Sequence, residues 1–135
     1  MMVSSLKLLI TSTIRPKALL LHLKRFIVVP PSNNSGNQVA FRKNRIAVDF
    51  PFRLELDKNG DKARKSMDDA EYRLKSLVHH IGPTAYCGHY RTDAFRDDKW
   101  IRFDDGSVTE TRTVDVMDNT NVRRNVYMLL YELKD

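Results

Sequence analysis

Residues 88–105 read GHYRTDAFRDDKWIRFDD, and this stretch has the pattern of a β-hairpin with a polar turn at Asp97-Asp98-Lys99. His89 and Asp104 lie at similar distances from the turn, so antiparallel pairing brings them within reach of each other. A carboxylate beside an imidazole fixes its tautomer and stabilises its charged form, which a catalytic base requires. On spacing alone, the pattern also fits a surface hairpin with a solvated histidine and turn acids.

The remaining apolar segments predict more strands of the same sheet. Segments with alternating or continuous apolar character predict the principal strands, at 18–29, 72–81, 90–95, 100–103 and 126–133. Segment 18–29 contains no glycine or proline, so we expect a single central strand there. Segment 126–133 is apolar on both faces, so we expect it to be buried in the sheet. Shorter strands are expected at 6–12, 38–42 and 107–110.

Adjacent residues of a strand point to opposite faces, which separates His79 from His80 in segment 72–81. This alternation makes a metal ion shared by the two histidines improbable, and it places His79 on the face that we expect to be exposed. His22 in segment 18–29 is expected to be packed or hydrogen-bonded, because no second metal ligand lies at a useful spacing.

Polar and turn-forming stretches separate the strands. Residues 30–37 and 82–88 have loop composition, and residues 58–69 form a charged stretch that we expect to be a mobile connection. Residues 111–124 are polar and predict a short helix or an irregular loop. The whole pattern predicts an α+β protein dominated by an antiparallel sheet.

Composition restricts the class of protein. A chain of 135 residues corresponds to one domain or less, and 30% charged residues suit a water-exposed surface. Cys87 is the single cysteine, which excludes an internal disulfide and a cysteine-rich zinc site and suits a reducing compartment, the cytoplasm or the nucleus. No apolar run approaches the roughly 20 residues of a membrane span, so we expect no membrane association.

The net charge of +6 is concentrated in the first half of the chain, where residues 1–65 hold 13 basic and 4 acidic side chains. A basic half is compatible with nucleic acid or an acidic surface as a partner. The basic residues lack the regularly spaced aromatic side chains of a base-stacking platform. A solvated face and a charged loop therefore explain the charge better than nucleic-acid binding does.

Several motifs of the chain together resemble the ubiquitin-specific proteases. The motifs occur in that family's order and extend from Pro16 to Glu132. They are Pro16-x-x-Leu19-x-Leu21-His22-Leu23-Lys24-Arg25-Phe26, Tyr72-x-Leu74, Val78-x-His80-x-Gly82, Gly88-His89-Tyr90, Trp100-x-x-Phe103-Asp104-Asp105 and Tyr127-Met128-Leu129-Leu130-Tyr131.

The resemblance implies a fold and an activity. The chain, residues 1–135, would form a single partial domain, the palm-like C-terminal half of a papain-like cysteine protease domain. The activity would be that of a cysteine-type deubiquitinase, which hydrolyses the peptide or isopeptide bond after the C-terminal glycine of ubiquitin. The implied partners are ubiquitin, ubiquitinated proteins and the N-terminal half of the same catalytic domain. No cofactor and no metal are implied.

The resemblance also assigns roles to particular residues. His89 would be the general base, Asp104 would orient it, and Asp105 would polarise groups near the oxyanion. Gly88 and Tyr90 would border the channel for the Gly-Gly tail of ubiquitin, where small residues permit close backbone approach. His80 matches a structural histidine of the family.

The nucleophile has no match in this sequence. In the family it is a cysteine near the start of the domain, whereas Cys87 lies two residues before His89. Side chains at i and i+2 of an extended chain are roughly 6–7 Å apart, too far for a working hydrogen bond. We therefore expect Cys87 to be a small thiol packed in its loop. The alternative to a deubiquitinase is a catalytically inactive ubiquitin-binding or scaffold fragment.

Overall fold

The structure is a computed structural model that describes residues 15–30, 39–56 and 70–134. The predicted strand at 6–12 and the predicted charged connection at 58–69 lie outside these residues. The described elements are β1 (Ala18–His22), β2 (Phe26–Val29), β3 (Ala40–Lys43), β4 (Arg53–Leu56), β5 (Ala70–Ile81), β6 (His89–Arg96), β7 (Lys99–Asp104), β8 (Ser107–Thr111), α1 (Thr113–Met117), α2 (Thr120–Asn125) and β9 (Val126–Leu133).

Seven of the described strands form one antiparallel sheet. Its order is β1-β9-β5-β6-β7-β8, and β4 pairs with the first part of β5. Strands β2 and β3 form a separate antiparallel pair. Strand β9 lies between β1 and β5, which confirms the prediction that this apolar segment is buried within the sheet.

The prediction of one central strand at 18–29 is wrong. The segment divides into β1, which pairs with β9 alone among the described strands, and β2, which belongs to the separate pair. The division occurs at Arg25, whose buried guanidinium donates hydrogen bonds to the carbonyl oxygens of Val126, Asn44, Ile46 and Arg123 at 2.5–3.0 Å. A cation held inward by four carbonyl groups turns the chain out of the sheet between the two strands.

The prediction that His79 is exposed is also wrong, because only 1% of its surface is accessible. Strand β5 pairs with β9 through register shifts between Leu74 and Ser76 and between Val78 and His79. Such an irregularity changes which residues face the core. Tyr72 and Leu74 are buried before the first shift, while Leu77 and His79 are buried after it.

Two tight turns connect β6, β7 and β8. Asp97 and Asp98, between β6 and β7, have φ angles of 49° and 60°, the pattern of a two-residue hairpin turn. Asp105, with φ 50°, and Gly106 form the turn between β7 and β8. The predicted hairpin is therefore confirmed. Its open end lies between the loop at 82–88, which precedes β6, and the turn at Asp105 and Gly106, which follows β7.

Helices α1 and α2 occupy the polar segment before β9, where a short helix or loop was predicted. Their buried valines, Val116 and Val122, contribute to a core that includes Tyr72, Trp100 and Tyr131. Neither helix, and no other helix of the described part of the chain, is long and apolar enough to cross a membrane.

Candidate active site

His89 and Asp104 come together at the open end of the β6–β7 hairpin. His89 begins β6 and Asp104 ends β7, and the register pairs Thr92 with Phe103. This register places Asp104 diagonally across from His89, and Nε2 of His89 forms a hydrogen bond with Oδ1 of Asp104. The β6–β7 hairpin is therefore sufficient to bring the pair together.

The hydrogen bond gives the two ring nitrogens of His89 different roles. Nε2 donates its proton to Asp104, and Nδ1 lies 3.8 Å from Oδ2 of Asp105, beyond hydrogen-bonding distance. The Nδ1 lone pair is then available to accept a proton from a third group. A histidine oriented in this way can act as a general base.

Charge around His89 favours its protonated form. The hydrogen bond to Asp104 raises the pKa of the imidazole, the charges of Asp104 and Asp105 raise it further, and desolvation and the charge of Arg91 oppose them. Nη1 of Arg91 lies 3.9 Å from Oδ2 of Asp104. The His89 side chain is 42% exposed, so these interactions act in a partly solvated site.

One ligand atom each from His89, Asp104 and Asp105 lies within 4.8 Å of the others, a spacing that a metal ion could bridge. The hydrogen bond between His89 and Asp104 already explains this proximity. Asp105 is 83% exposed in its turn, where acidic groups are common without a metal. The absence of a metal from this site stays a prediction.

Gly88 lies directly against His80. A Cβ atom at position 88 would collide with the His80 imidazole and would lie 2.7 Å from the carbonyl oxygen of Ile81. At the other end of the loop, Gly82 has φ 144°, and a Cβ there would lie 2.7 Å from the carbonyl oxygen of Cys87. The loop at 82–88 therefore closes through backbone contacts that only glycine permits at both ends.

Cys87 is exposed, so the prediction that its thiol packs within the loop is wrong. The contact that Cys87 makes across the loop comes from its backbone, since its carbonyl oxygen lies against Gly82. Tyr86, next to Cys87, is also 82% exposed and touches Phe41 edge-on at 5.6 Å.

Aromatic rings surround the base of the loop. His80 is buried and contacts Phe26 and Tyr90 at ring centroid distances of 5.1 and 4.9 Å. Burial and the charge of Lys43 lower the pKa of His80, which keeps this histidine neutral and agrees with a structural role. Tyr90 is half exposed beside it, at the surface next to His89.

Lys43 contacts the backbone of His80 at the end of β5. Its buried ammonium group donates hydrogen bonds to the carbonyl oxygen of His80 and, at 2.8 Å, to Oδ1 of Asn125. Burial, then the charges of Arg45 and Arg25, lower the pKa of Lys43 to about 8.

A second charged group near the site was missed in the sequence. Asp93 is fully buried and accepts two hydrogen bonds from Arg102, at 2.7 and 2.9 Å, and a third contact from Nε2 of His79 at 2.8 Å. The signal was available in the predicted hairpin, because Asp93 lies four residues after His89 on the same face and Arg102 lies opposite Asp93.

Comparison with known proteins decides the family. The family model described as ubiquitin carboxyl-terminal hydrolase matches residues 10–131, nearly the whole chain. The chain belongs to the ubiquitin carboxyl-terminal hydrolase family. The resemblance drawn from the sequence motifs is confirmed.

Curated relatives in this family include ubiquitin carboxyl-terminal hydrolase 10-B of Xenopus laevis, 35% identical over 126 residues, which cover 89% of this chain and 15% of that protein. Ubiquitin hydrolase B of Dictyostelium discoideum is 30% identical, over 87% of this chain and 23% of that protein. The chain therefore spans only about 15–23% of the length of these relatives.

The fold matches solved structures of deubiquitinase modules. A chain of the SAGA Ubp8/Sgf11/Sus1/Sgf73 DUB module bound to ubiquitin aldehyde is 25% identical, with a TM-score of 0.67, over 89% of this chain and 25% of that chain. A chain of a second structure of the SAGA Ubp8/Sgf11/Sus1/Sgf73 DUB module gives a TM-score of 0.66 at 26% identity, over 89% of this chain and 24% of that chain. The predicted fold, a mainly antiparallel palm-like half of a papain-like domain, is confirmed.

Proposed function

We propose that this chain supplies the histidine and aspartate of a thiol-dependent deubiquitinase that hydrolyses the bond after the C-terminal glycine of ubiquitin. The observation that carries the proposal is the His89 imidazole, which is bound to Asp104 through Nε2 and presents Nδ1 without a hydrogen bond to Asp105. Family membership and relatives named as ubiquitin carboxyl-terminal hydrolases support the same activity.

In the proposed reaction, Nδ1 of His89 takes the proton of a cysteine thiol from another part of the catalytic domain. The thiolate attacks the carbonyl carbon after the last glycine of ubiquitin and forms a tetrahedral intermediate. The imidazolium returns its proton to the leaving amine, and the C–N bond breaks to leave a thioester. Water, deprotonated by the same imidazole, then releases ubiquitin and restores the thiol.

Asp104 keeps the proton on Nε2 and stabilises the imidazolium formed in the first step. Asp105, exposed and close to Nδ1, would polarise groups near the oxyanion. Gly88 and Tyr90 would border the channel for the Gly-Gly tail. The contact of Gly88 with His80 supports this assignment, since a side chain at position 88 would displace the loop beside His89.

Ubiquitin and ubiquitinated proteins are the proposed partners, together with the N-terminal half of the same catalytic domain. A matched DUB module is described as bound to ubiquitin aldehyde, which supports ubiquitin as a partner by similarity. We propose the cytoplasm or nucleus as the compartment, where the single cysteine would remain reduced.

The test is a chimera in which this chain replaces the matching segment of the Xenopus laevis relative. Release of a fluorophore from the ubiquitin C-terminus is measured for the chimera and its variants. His89→Ala should abolish turnover, and Asp104→Asn should lower kcat strongly, because it can set the wrong imidazole tautomer, as it does in the Ser-His-Asp triad. Asp98→Asn, in the exposed turn between β6 and β7, is the matched control and should retain activity.

Two results would refute the proposal. One is a folded chimera with no turnover, which would favour the non-catalytic ubiquitin-binding alternative. The other is turnover that survives His89→Ala.

A further inference from the structure

Asp93, His79 and Arg102 form a charged cluster that the proposed reaction does not use directly. Asp93 has no accessible surface, His79 has 1%, and the Arg102 side chain has 20%. The three residues come from neighbouring strands β5, β6 and β7, and Asp93 lies directly opposite Arg102 in the register. Both oxygens of Asp93 bind the guanidinium group, at 2.7 and 2.9 Å.

Arg102 is also a close neighbour of the carboxylate that orients His89. Arg102 and Asp104 are two residues apart on β7, so their side chains leave the same face with Cβ atoms about 6–7 Å apart. The charge of Asp104 acts on Arg102, whose pKa is raised first by Asp93 and further by Asp115 and Asp104. A guanidinium released from Asp93 could reach Asp104 by side-chain rotation alone.

A paired Arg102 and Asp104 would compete with His89. Arginine binds carboxylates with two parallel hydrogen bonds, a geometry stronger than the single hydrogen bond offered by an imidazole. Arg91, the other cation near Asp104, lies 3.9 Å away and does not make such a contact. Arg102 held by Asp93 therefore leaves both oxygens of Asp104 without a bidentate guanidinium and available to His89.

We propose, on the basis of the proposed function, that Asp93 is a positioning residue that holds Arg102 away from Asp104 and so reserves Asp104 for His89. His79 supports Asp93 from β5 by binding Oδ2 at 2.8 Å. The charged and titratable groups that face the two carboxylates are His79 and Arg102 around Asp93, and His89, Arg91 and Arg102 around Asp104.

The experiment compares Asp93→Asn with the double variant Asp93→Asn/Arg102→Met. In the 135-residue chain, NMR titration measures the pKa of His89. In the chimera with the Xenopus laevis relative, ubiquitin–fluorophore hydrolysis measures kcat and KM. Glu110→Gln is the matched control, because it removes one charge from an exposed pair between β8 and β7, the contact of Glu110 with Lys99 at 3.1 Å.

Asp93→Asn should lower the His89 pKa towards its ordinary value and reduce kcat at least about tenfold with little change in KM, since the loss of an orienting carboxylate acts on the chemical step. The double variant removes the competing cation and should recover both the pKa and most of kcat. A purely structural role would also predict recovered stability in the double variant, because no unpaired buried charge remains. It would leave the His89 pKa of the folded Asp93→Asn chain unchanged, so the His89 pKa separates the two roles.

Several outcomes would overturn the inference. One is a double variant no better than Asp93→Asn, and another is an Asp93→Asn variant with an unchanged His89 pKa and kcat. If Asp93→Asn does not fold, the double variant still decides, and a lowered His89 pKa in it would contradict the inference. Absence of turnover in the chimera itself would refute the proposed function, while the titration of His89 would still test the role of Asp93.

Discussion

Protonation of the Asp93 carboxylate in acid should lower the free energy of unfolding of this protein. Burial alone would raise the pKa of this carboxyl, but hydrogen bonds from Arg102 and His79 and their charges lower it from 3.8 to about 2. One pH unit between folded and unfolded pKa values corresponds to about 1.4 kcal/mol, so the ionised Asp93 contributes roughly 2 kcal/mol to the free energy of unfolding at neutral pH. The folded-state pKa is depressed, so this contribution is present above pH 3.8 and is lost as pH falls towards 2.

Urea denaturation of the 135-residue chain at pH values from 7 to 2 measures this contribution. The free energy of unfolding should fall in acid more steeply for the wild type than for Asp93→Asn. Between pH 5 and pH 2, the wild type should lose about 2 kcal/mol more than Asp93→Asn does. Asp98→Asn, in the exposed turn, controls for the loss of one negative charge. Parallel curves for the wild type and Asp93→Asn would refute the argument that buried partners hold this carboxylate ionised.

Three further predictions follow from single contacts. Gly88→Ala should lower the free energy of unfolding by about 1–3 kcal/mol in denaturant titrations, because the added Cβ collides with the imidazole of His80. Gly106→Ala is the control, because no atom lies within 4 Å of its added Cβ, and it should change the free energy of unfolding by no more than about 0.5 kcal/mol. Arg25→Ala should cost about 3 kcal/mol or more in the same measurement, since it leaves carbonyl groups from four residues without their donor; a loss below 1 kcal/mol would contradict the role of this residue in dividing the first two strands. Asp104→Asn should lower the pKa of His89, whose main upward influence is the hydrogen bond to that carboxylate, and NMR titration that finds the pKa unchanged would argue against the pair.

The hairpin that carries the candidate site could be predicted because its determinants are local. The turn at Asp97 and Asp98 and the alternation on each side fix the β6–β7 register, and the register alone places Asp104 near His89. The position of Val126–Leu133 could also be predicted, because a strand that is apolar on both faces is typically an inner strand of a buried sheet.

Features that depend on distant partners could not be predicted in the same way. The division of 18–29 at Arg25 requires carbonyl groups from positions 44, 46, 123 and 126, which the sequence does not place together. The burial of His79 depends on register shifts in β5 against β9 and on the carboxylate of Asp93. Simple alternation therefore assigned His79 to the wrong side of the sheet.

The roles of the site residues stay predictions, because geometry brings His89 and Asp104 together without showing the group that they activate. The local sequence gives one thiol, Cys87, which is exposed and forms no hydrogen bond with any residue of the described ranges. The identity of the nucleophile is therefore the point on which the proposed mechanism depends.

Ubiquitin carrying a C-terminal electrophile tests this point most directly, because it forms a covalent adduct with the attacking thiol. In the chimera with the Xenopus laevis relative, mass spectrometry should locate the adduct on a cysteine in the N-terminal half of the relative's catalytic domain. His89→Ala should slow its formation strongly, while Cys87→Ser leaves the rate unchanged. The 135-residue chain alone should form no adduct. An adduct on Cys87, or one that forms equally fast in His89→Ala, would contradict the account.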